Sequence, residues 1–441
     1  MLWKPFGNRG AIVTSQEKRV VVTGLGVLAP NGHNVQEFES ALRNGRTGIR
    51  HIPEMDEFKF SCQVAAVPQG VEELCVENFS EELLMSMNCA QRYAALAAVE
   101  CWRDAGFEVP SETDDEAIDW ETGAVFGTGI GGMETIAERV APLVNERKIR
   151  RLGSTAVEQV MASGVSARLS GILALGNQVT TNSSACSTGT EAVIEGLYRI
   201  RAGRSSRMIC GGTEAATRYI WAGFDAMRVL ARKWNDSPGK ASRPLSASAG
   251  GFVPGAGAGA LMLESLESAS KRGARIYAEV LGGSINCGGH RSGGSMTAPN
   301  PQGVERCIKE ALSESKITAD QVDLISGHLT ATGADPKEVW AWSRALGRST
   351  EDFPTILSTK SLIGHTLGAA GAIESIAAIL MLHSDFVHPS VNCEDVHPDL
   401  VAFEGSIPRK AKENVGNDIV MKASFGFGDV NACVSFQRWQ A

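Results

Sequence analysis

Short apolar segments that end in glycine alternate with helical segments along most of the chain, and this order begins twice. The first series opens with the β-branched run of residues 18–30, and the second opens near residue 271. Alternating strands and helices are typical of sheets that carry helices on their faces. The sequence therefore predicts an α/β fold of two similar halves, each built on a mostly parallel sheet and packed together as one unit.

The same pattern predicts where the chain divides and which residues form its elements. We expect an N-terminal extension over residues 1–17, a first half over residues 18–270 and a second half over residues 271–441. The main predicted strands are 122–126, 178–182, 208–212, 259–264, 277–282, 324–326, 355–358, 419–425 and 432–437. The main predicted helices are 35–46, 81–105, 155–175, 303–315, 336–347 and 369–383.

Charge and composition argue against several classes of function. The net charge is −8 and aromatic residues make up 6% of the chain, so we expect no nucleic-acid partner, which would need a basic footprint. No apolar run reaches the roughly 18 residues of a membrane span, and the first residues lack the apolar core of a signal peptide. The ten cysteines form no C-x-x-C pair, which favours reduced thiols and a cytoplasmic location.

One cysteine lies where a predicted strand leads into a predicted helix. The segment SSACSTG, residues 183–189, places Cys186 at the start of that helix. Unpaired backbone N–H groups and the helix dipole stabilise a thiolate at such a position, which makes the sulfur a stronger nucleophile. The alternative is a buried structural cysteine at a tight turn.

Two histidines lie in loops that follow predicted strands. His328 opens the loop HLTATGAD, and His365 precedes an Ala/Gly-rich helix in the segment KSLIGHTLGAAGAIE. Lys360 and Glu374 belong to that segment and could form a buried pair that orients the ring of His365. The alternatives are satisfied core or loop histidines, a surface lysine and an exposed glutamate. We expect the other six histidines to be structural or exposed.

A glycine-flanked aromatic turn lies between the last two predicted strands. It spans residues 425–431 and reads FGFGDVN. The segment could be a plain turn, or it could present a backbone N–H and a movable phenylalanine side chain to a site.

Five segments, taken together and in order, resemble a known family. They are GLGVLAPNG, ACSTGT, the His–Thr–Thr loop, KSLIGHTLGAAGAIE and SFGFGDVNA, and they resemble the β-ketoacyl-[acyl-carrier-protein] synthases, the elongating condensing enzymes of the thiolase-like superfamily. The resemblance implies a thiolase-like fold, with two similar halves in a layered α-β-α-β-α arrangement. It also implies an acyltransferase that condenses an acyl-enzyme with malonyl-acyl carrier protein, with loss of CO₂, in type II fatty acid synthesis.

The resemblance implies roles for residues of the candidate site. Cys186 matches the nucleophile, and His328 and His365 match the histidine pair that polarises the malonyl carbonyl. The backbone N–H groups of Cys186 and Phe427 match the oxyanion hole. Phe427 also matches a gate over the cysteine.

A buried support and a carrier-protein partner are implied in the same way. Lys360 matches a catalytic lysine supported by Glu374, with no metal expected beyond a possible monovalent cation near that glutamate. No cofactor is implied, since phosphopantetheine arrives on the acyl carrier protein, and a homodimer is expected. The implied substrate-binding residues are Thr330, Thr332, Thr297, Ile130 and Phe425. The implied docking residues for the acidic carrier are Arg147, Lys148 and Arg228.

The sequence departs from the family pattern in three segments, one of which is residues 243–256, where charged residues usual in the family are absent, and other functions stay open. The loop from His328 to Asp335 is one residue short, and Asp429 replaces a glycine usual after the gate. One alternative is a specialised ketosynthase for a polyketide or an aryl polyene. Another is a non-catalytic chain-length partner, which the intact candidate residues disfavour. A degradative thiolase would need a Cys-Gly segment near Phe427, and a cysteine hydrolase would not need Lys360.

Overall fold

Ten strands form one mixed sheet that runs through the molecule. The computed structural model describes residues 17–111, 114 and 116–440, so residues 1–16 of the expected extension lie outside the described part. The strands are β1 Val20–Leu28, β2 Ile49–His51, β3 Val64–Ala66, β4 Thr122–Thr128, β5 Val179–Thr180, β6 Arg207–Glu214, β7 Gly257–Ser265, β8 Ala278–Cys287, β9 Leu324–Ser326, β10 Thr355–Leu357, β11 Phe386–Val387, β12 Lys412–Glu413, β13 Ile419–Gly426 and β14 Val430–Arg438. The α-helices are α1 Val35–Arg43, α2 Pro53–Glu57, α3 Val71–Asn78, α4 Glu81–Met85, α5 Cys89–Asp104, α6 Met133–Thr135, α7 Ala141–Asn145, α8 Thr155–Val160, α9 Gly164–Leu173, α10 Thr188–Arg201, α11 Arg218–Ala226, α12 Leu266–Lys271, α13 Pro301–Ser315, α14 Asp335–Leu346, α15 Lys360–Ile363 and α16 Ala370–His383.

The large sheet consists of two five-stranded halves with the same internal arrangement. One half has the order β5–β4–β6–β7–β1, and the other has the order β10–β9–β13–β14–β8. In each half the first two pairings are parallel and the last two are antiparallel. The halves meet where Val21 of β1 pairs with Glu279 of β8 and Val22 pairs with Ala278.

The prediction of mostly parallel sheets was wrong. Half of the pairings in each five-stranded part are antiparallel, including β13 with β14. These two strands are separated by residues 427–429, and a connection this short can join only antiparallel neighbours. The hairpin matters for the site because its turn carries the FGFGD segment.

Helices form three layers around the two half-sheets. α5 and α9 pack on the first half, α13 packs on the second with α14 against it, and α10 and α16 contact strands of both halves. The layered α-β-α-β-α arrangement is therefore confirmed, with α10 and α16 as its central layer. None of the described helices is both long and apolar enough to cross a membrane.

The two central helices approach each other closely at their N-terminal ends. A Cβ on Gly189 would lie 2.4 Å from the backbone nitrogen of Ala372, and a Cβ on Gly371 would lie 2.3 Å from that of Thr190. Only glycine permits such backbone contact. The Ala/Gly-rich sequence of α16 thus brings the residues before α10 next to those before α16.

Candidate active site

Cys186 lies in a tight turn between β5 and α10. The 3₁₀ turn Ala185–Ser187 leads into α10, and Ala185 has a φ of +48°, which costs a non-glycine residue about 1–3 kcal/mol. Thr188 holds this turn, because its Oγ1 accepts from the Ser184 N–H (2.9 Å) and donates to the Ala185 carbonyl (2.7 Å). The strained turn therefore fixes the position of the Cys186 sulfur.

His365 lies directly against that sulfur. Its Nε2 is 3.1 Å from Sγ of Cys186, and its Nδ1 accepts a hydrogen bond from the backbone N–H of Leu367 (3.3 Å). A neutral imidazole has one N–H and one lone pair, so a lone pair on Nδ1 places the proton on Nε2. His365 therefore offers a hydrogen-bond donor to the sulfur. The ring also packs edge-on against Phe252, with centroids 5.2 Å apart.

His328 completes a group of three around one point. Its ring lies 5.3 Å from that of His365, and one ligand atom from each of Cys186, His328 and His365 lies within 4.8 Å of the others. The carboxylate of Glu338 accepts the backbone N–H of His328 (2.6 Å) and of Leu329 (2.8 Å). This buried carboxylate therefore fixes the backbone from which the His328 ring projects.

A buried charge cluster lies behind the two imidazoles. Glu374 pairs through Oε1 with Lys360 and through Oε2 with Lys422, whose Nζ is 2.8 Å away, and all three side chains are at most 1% exposed. Burial and the positive charges of Lys360 and Lys422 hold the pKa of His365 well below its usual range. Burial, then Lys360, lower the pKa of His328 in the same way. Both imidazoles are therefore neutral at physiological pH.

The thiol of Cys186 is less acidic than its position at a helix start suggested. Burial raises its pKa to about 11, although Lys360 and the backbone N–H of Phe427 act in the opposite direction. The expected stabilisation by the helix start is thus outweighed by loss of water. The sulfur is held as a thiol that must lose its proton during the reaction.

The short loop after His328 is held by a second buried carboxylate. Asp335 accepts the backbone N–H groups of Thr330 (2.9 Å) and Ala331 (3.1 Å). The hydroxyls of Thr330 and Thr332 lie 3.1 Å apart and are half-buried. Both predicted substrate-binding threonines therefore project from one rigid loop beside His328.

The turn between β13 and β14 lies over the cysteine. The ring of Phe427 is half-buried and packs at 6.0 Å from that of Phe224, and its backbone N–H acts to lower the pKa of Cys186. Phe425, two residues earlier, is buried with its ring 6.3 Å from that of His328. The structure thus brings both phenylalanines to the candidate site.

Asp429 connects the turn between β13 and β14 to the loop formed by residues 288–300 through hydrogen bonds. Its carboxylate accepts the backbone N–H of Asn300 (2.7 Å) and of His290 (3.0 Å). Thr297 lies in that loop and is exposed. The aspartate that departs from the family pattern therefore links the Phe427 turn to the loop that carries Thr297.

The predicted acyl-pocket residue lies on a separate loop after β4. Ile130 is 45% exposed, and its N–H lies 3.4 Å from the carboxylate of Glu214. That carboxylate also accepts the N–H groups of Gly129 (3.0 Å) and Gly368 (3.1 Å), and burial raises the pKa of Glu214 to about 7. Glu214 thus joins the Ile130 loop to the residues just after His365.

The predicted docking residues lie on the surface. Arg147, Lys148 and Arg228 are all exposed. Lys148 pairs with Glu146 at 2.7 Å, whereas within the described residues Arg147 and Arg228 form no ion pair. The two arginines are therefore available to an acidic partner.

Sequence reasoning missed several residues that support the site. Lys422 gave a signal, because it interrupts the apolar pattern IVMKASF of a predicted strand. Glu214 lies outside the quoted motifs and Glu338 lies three residues beyond the HLTATGAD loop, so their contacts with the site are evident only in the fold. The missed residues are Glu214, Phe224, Phe252, Glu338 and Lys422.

Comparison with known proteins places this geometry in a family. The models "Beta-ketoacyl synthase, N-terminal domain" and "Beta-ketoacyl synthase, C-terminal domain" match residues 17–269 and 277–394. The "3-oxoacyl-[acyl-carrier-protein] synthase 1" of Haemophilus influenzae is 35% identical over 424 residues, which are 96% of this chain and 99% of that protein.

Solved structures give the same result. A β-ketoacyl synthase from Burkholderia phymatum has a TM-score of 0.86 at 30% identity, covering 96% of this chain and 100% of that one. A type II polyketide ketosynthase, solved in complex with its acyl-carrier protein, has a TM-score of 0.84 at 27% identity, with the same coverage.

Proposed function

Because this chain belongs to the β-ketoacyl synthase family, we propose that its reaction runs through Cys186, His328 and His365. The chain is an acyltransferase of the condensing type, a 3-oxoacyl-[acyl-carrier-protein] synthase. Curated relatives that are 33–35% identical over nearly their whole length carry that name, which favours fatty acid synthesis over a specialised polyketide or aryl-polyene pathway.

The contact between Nε2 of His365 and Sγ of Cys186 is the observation that carries the proposal. In the first step the sulfur attacks the carbonyl carbon of an acyl thioester. The thiol proton passes to the departing pantetheine sulfur, and the acyl group stays on Cys186. The backbone N–H groups of Cys186 and Phe427 stabilise the oxyanion, as such paired donors do in acyl transfer.

The neutral histidine pair serves the second step. The malonyl thioester oxygen accepts hydrogen bonds from the two imidazoles while the carboxylate leaves as CO₂, and the electron pair of the broken C–C bond forms an enolate. The enolate carbon then attacks the acyl carbonyl to form the new C–C bond, and the C–S bond to Cys186 breaks. The departing sulfur takes up a proton from water, which restores the thiol. Donors aimed at a developing oxyanion in a dry site lower the barrier, and removing one such donor costs about 10²–10³-fold in rate.

The partner and the assembly follow from surface features. Arg147 and Arg228 are exposed and unpaired among the described residues, which suits an acidic acyl carrier protein that delivers phosphopantetheine, so no other cofactor is required. The edge strand β5 and the exposed Ile130 support a homodimer, because open sheet edges and exposed apolar residues are commonly covered by a second chain. We further propose that the protein is located in the cytoplasm.

The proposal is tested with purified protein, malonyl-acyl carrier protein and acyl-acyl carrier proteins of increasing length, with products resolved by mass. We expect 3-oxoacyl-carrier products two carbons longer than each primer, with one CO₂ released per condensation. Transfer of the acyl group without any longer product would contradict the condensing function. Products extended several times without release would favour the polyketide alternative.

A further inference from the structure

The buried ammonium group of Lys422 contacts three oxygen atoms. It lies on β13 with none of its surface exposed, and its Nζ is 2.8 Å from Oε2 of Glu374 and 3.0 Å from Oγ of Ser424. It also donates to the carbonyl of Ala423. An ammonium has three hydrogens and no acceptor, and here it makes two hydrogen bonds, to Ala423 and Ser424, and one ion-pair contact, to Glu374. A neutral amine would direct a lone pair at one of these oxygens.

The residues around Glu374 do not fit a bound monovalent cation. One carboxylate oxygen pairs with Lys360 and the other with Lys422. A metal ion on either oxygen would lie within a few ångströms of two ammonium groups that water does not reach. Like charges at that distance repel strongly in a dry interior.

The contacts of Lys422 continue to the nucleophile turn. Ser424 Oγ, which Lys422 contacts, lies 2.9 Å from Oγ1 of Thr190 in α10. The carbonyl of Ser424 accepts a hydrogen bond from Oγ of Ser187 (3.1 Å), the residue after Cys186. Lys422 therefore anchors the end of β13 beneath the turn that holds the sulfur.

We propose that Lys422 is a built-in counter-ion that takes the place of a bound monovalent cation and positions the end of β13 against the Cys186 turn. The enzyme then needs no added monovalent cation for folding or turnover. This inference rests on the proposed function only where condensation is measured. The effect of the Lys422 contacts on stability is measured independently, by thermal unfolding.

The test compares the wild type with Lys422→Ala, Lys422→Met and Lys422→Arg. Thermal unfolding and condensation are measured at equal ionic strength in KCl, NH₄Cl and tetramethylammonium chloride. Lys309→Ala, which removes an exposed lysine from α13, is the matched control. The wild type and this control should behave alike in all three salts.

Lys422→Ala leaves space and unpaired oxygens, so K⁺ or NH₄⁺ should raise its unfolding temperature and its rate in a saturable way. In tetramethylammonium chloride its rate should fall by roughly 10- to 100-fold, the range expected when a buried carboxylate loses one charge-assisted hydrogen bond. Lys422→Met fills the space with an apolar side chain and should not be rescued. Lys422→Arg should retain part of the activity in every salt.

A wild type that needs K⁺ for stability or activity would overturn the inference. A Lys422→Met variant as stable and active as the wild type would also overturn it. If unfolding responds as expected but no variant or wild type condenses substrates, the proposed function fails while the role of Lys422 stands.

Discussion

Nε2 of His365 presents its proton to Sγ of Cys186 at 3.1 Å, because its Nδ1 is already an acceptor for the N–H of Leu367. This arrangement makes His365 a hydrogen-bond donor to the sulfur. The same N–H can donate to a substrate oxygen that binds next to the sulfur. A histidine acting as a general base would present its lone pair instead. Burial of the ring, and then the charges of Lys360 and Lys422, lower the pKa of His365 and so disfavour a second proton on it.

The first prediction concerns the pH dependence of malonyl decarboxylation. Burial and neighbouring positive charge lower the pKa values of both His328 and His365, so both stay neutral as the pH falls through 6.5. The rate of CO₂ release should therefore be flat from pH 8 to about pH 6. Lys360→Met removes one of those charges, so its loss of activity on acidification should begin at higher pH. A wild-type rate that falls with a midpoint near pH 6.5 would contradict the assignment.

The second prediction tests whether Cys186, and not Cys89, is the residue that is acylated. Burial raises the pKa of Cys89 to about 11, the same value as for Cys186, so intrinsic acidity does not distinguish them. Cys186→Ala should abolish the mass increase caused by acyl transfer, whereas Cys89→Ala should acylate normally. Folding of both variants is checked by circular dichroism. Acylation that persists in Cys186→Ala would assign the nucleophile to another residue.

The sequence predicts the fold best where local pattern and burial agree. Residues 324–326 were predicted as a strand and form β9, and the prediction of a helix over 369–383 differs from α16 by one residue. The predicted helix over 81–105 is instead divided into α4 and α5, because Asn88 caps α5 in a reciprocal pair of hydrogen bonds with Gln91. Strand direction was missed for strands far apart in the chain because it depends on which of them become neighbours, whereas the short turn at 427–429 already required β13 and β14 to be antiparallel.

The candidate site also combines residues that local sequence identifies with residues that only the fold identifies. Cys186, His328 and His365 could be identified because each lies in a motif with its own local signature. Lys422 and Glu338 were missed, although Lys422 interrupts an apolar strand and Glu338 lies only ten residues after His328. That Lys422 pairs with Glu374 of α16, and that Glu338 turns back to the loop after β9, depends on the fold. Local sequence reports which residues can react, whereas the charges that set their protonation are assembled by the tertiary fold.

The third prediction concerns the length of the acyl chain. If Ile130 lines the acyl pocket, Ile130→Phe should obstruct long primers by about 1–3 kcal/mol, the usual cost of overpacking, and spare short ones. Val157→Phe is the matched control, because Val157 is another exposed apolar residue of the same half. Rates with carrier-bound primers of increasing length measure the effect. Equal losses for short and long primers would remove Ile130 from the pocket.

The fourth prediction concerns carrier docking. Arg147→Glu combined with Arg228→Glu should raise KM for carrier-bound substrate, since both charges are exposed and an acidic partner would be repelled. Turnover of small pantetheine thioesters should not change. Added salt should weaken the wild type more than the variant, because screening acts on contacts the variant lacks. Lys309→Glu is the control for an exposed charge on α13. Equal losses on carrier-bound and free thioesters would show that the two arginines stabilise the enzyme instead.

The last prediction follows from the carboxylate that holds His328. Burial raises the pKa of Glu338 to about 7, above its ordinary value of 4.5, although the N–H groups of Leu329 and His328 oppose this shift. The folded protein therefore retains a proton that the unfolded chain has lost between about pH 4.5 and pH 7, so this group makes stability fall as the pH rises through that window.

Glu338→Gln removes this titration while keeping one acceptor and the side-chain shape. Its urea midpoint should lie near that of the wild type at pH 5, where the carboxyl is protonated. By pH 7.5 the unfolding free energy of the variant should exceed that of the wild type by up to about 3 kcal/mol, as the difference between a pKa of about 7 and one of 4.5 implies. CO₂ release should nevertheless slow at every pH, because the amide NH₂ cannot accept, whereas both oxygens of a carboxyl group, protonated or ionised, can accept the N–H groups that fix the His328 backbone. Glu57→Gln, at an exposed position, controls for the general effect of charge. A difference in midpoint that does not change with pH would show that Glu338 is ionised across the whole range, and would remove it as the source of the pH dependence.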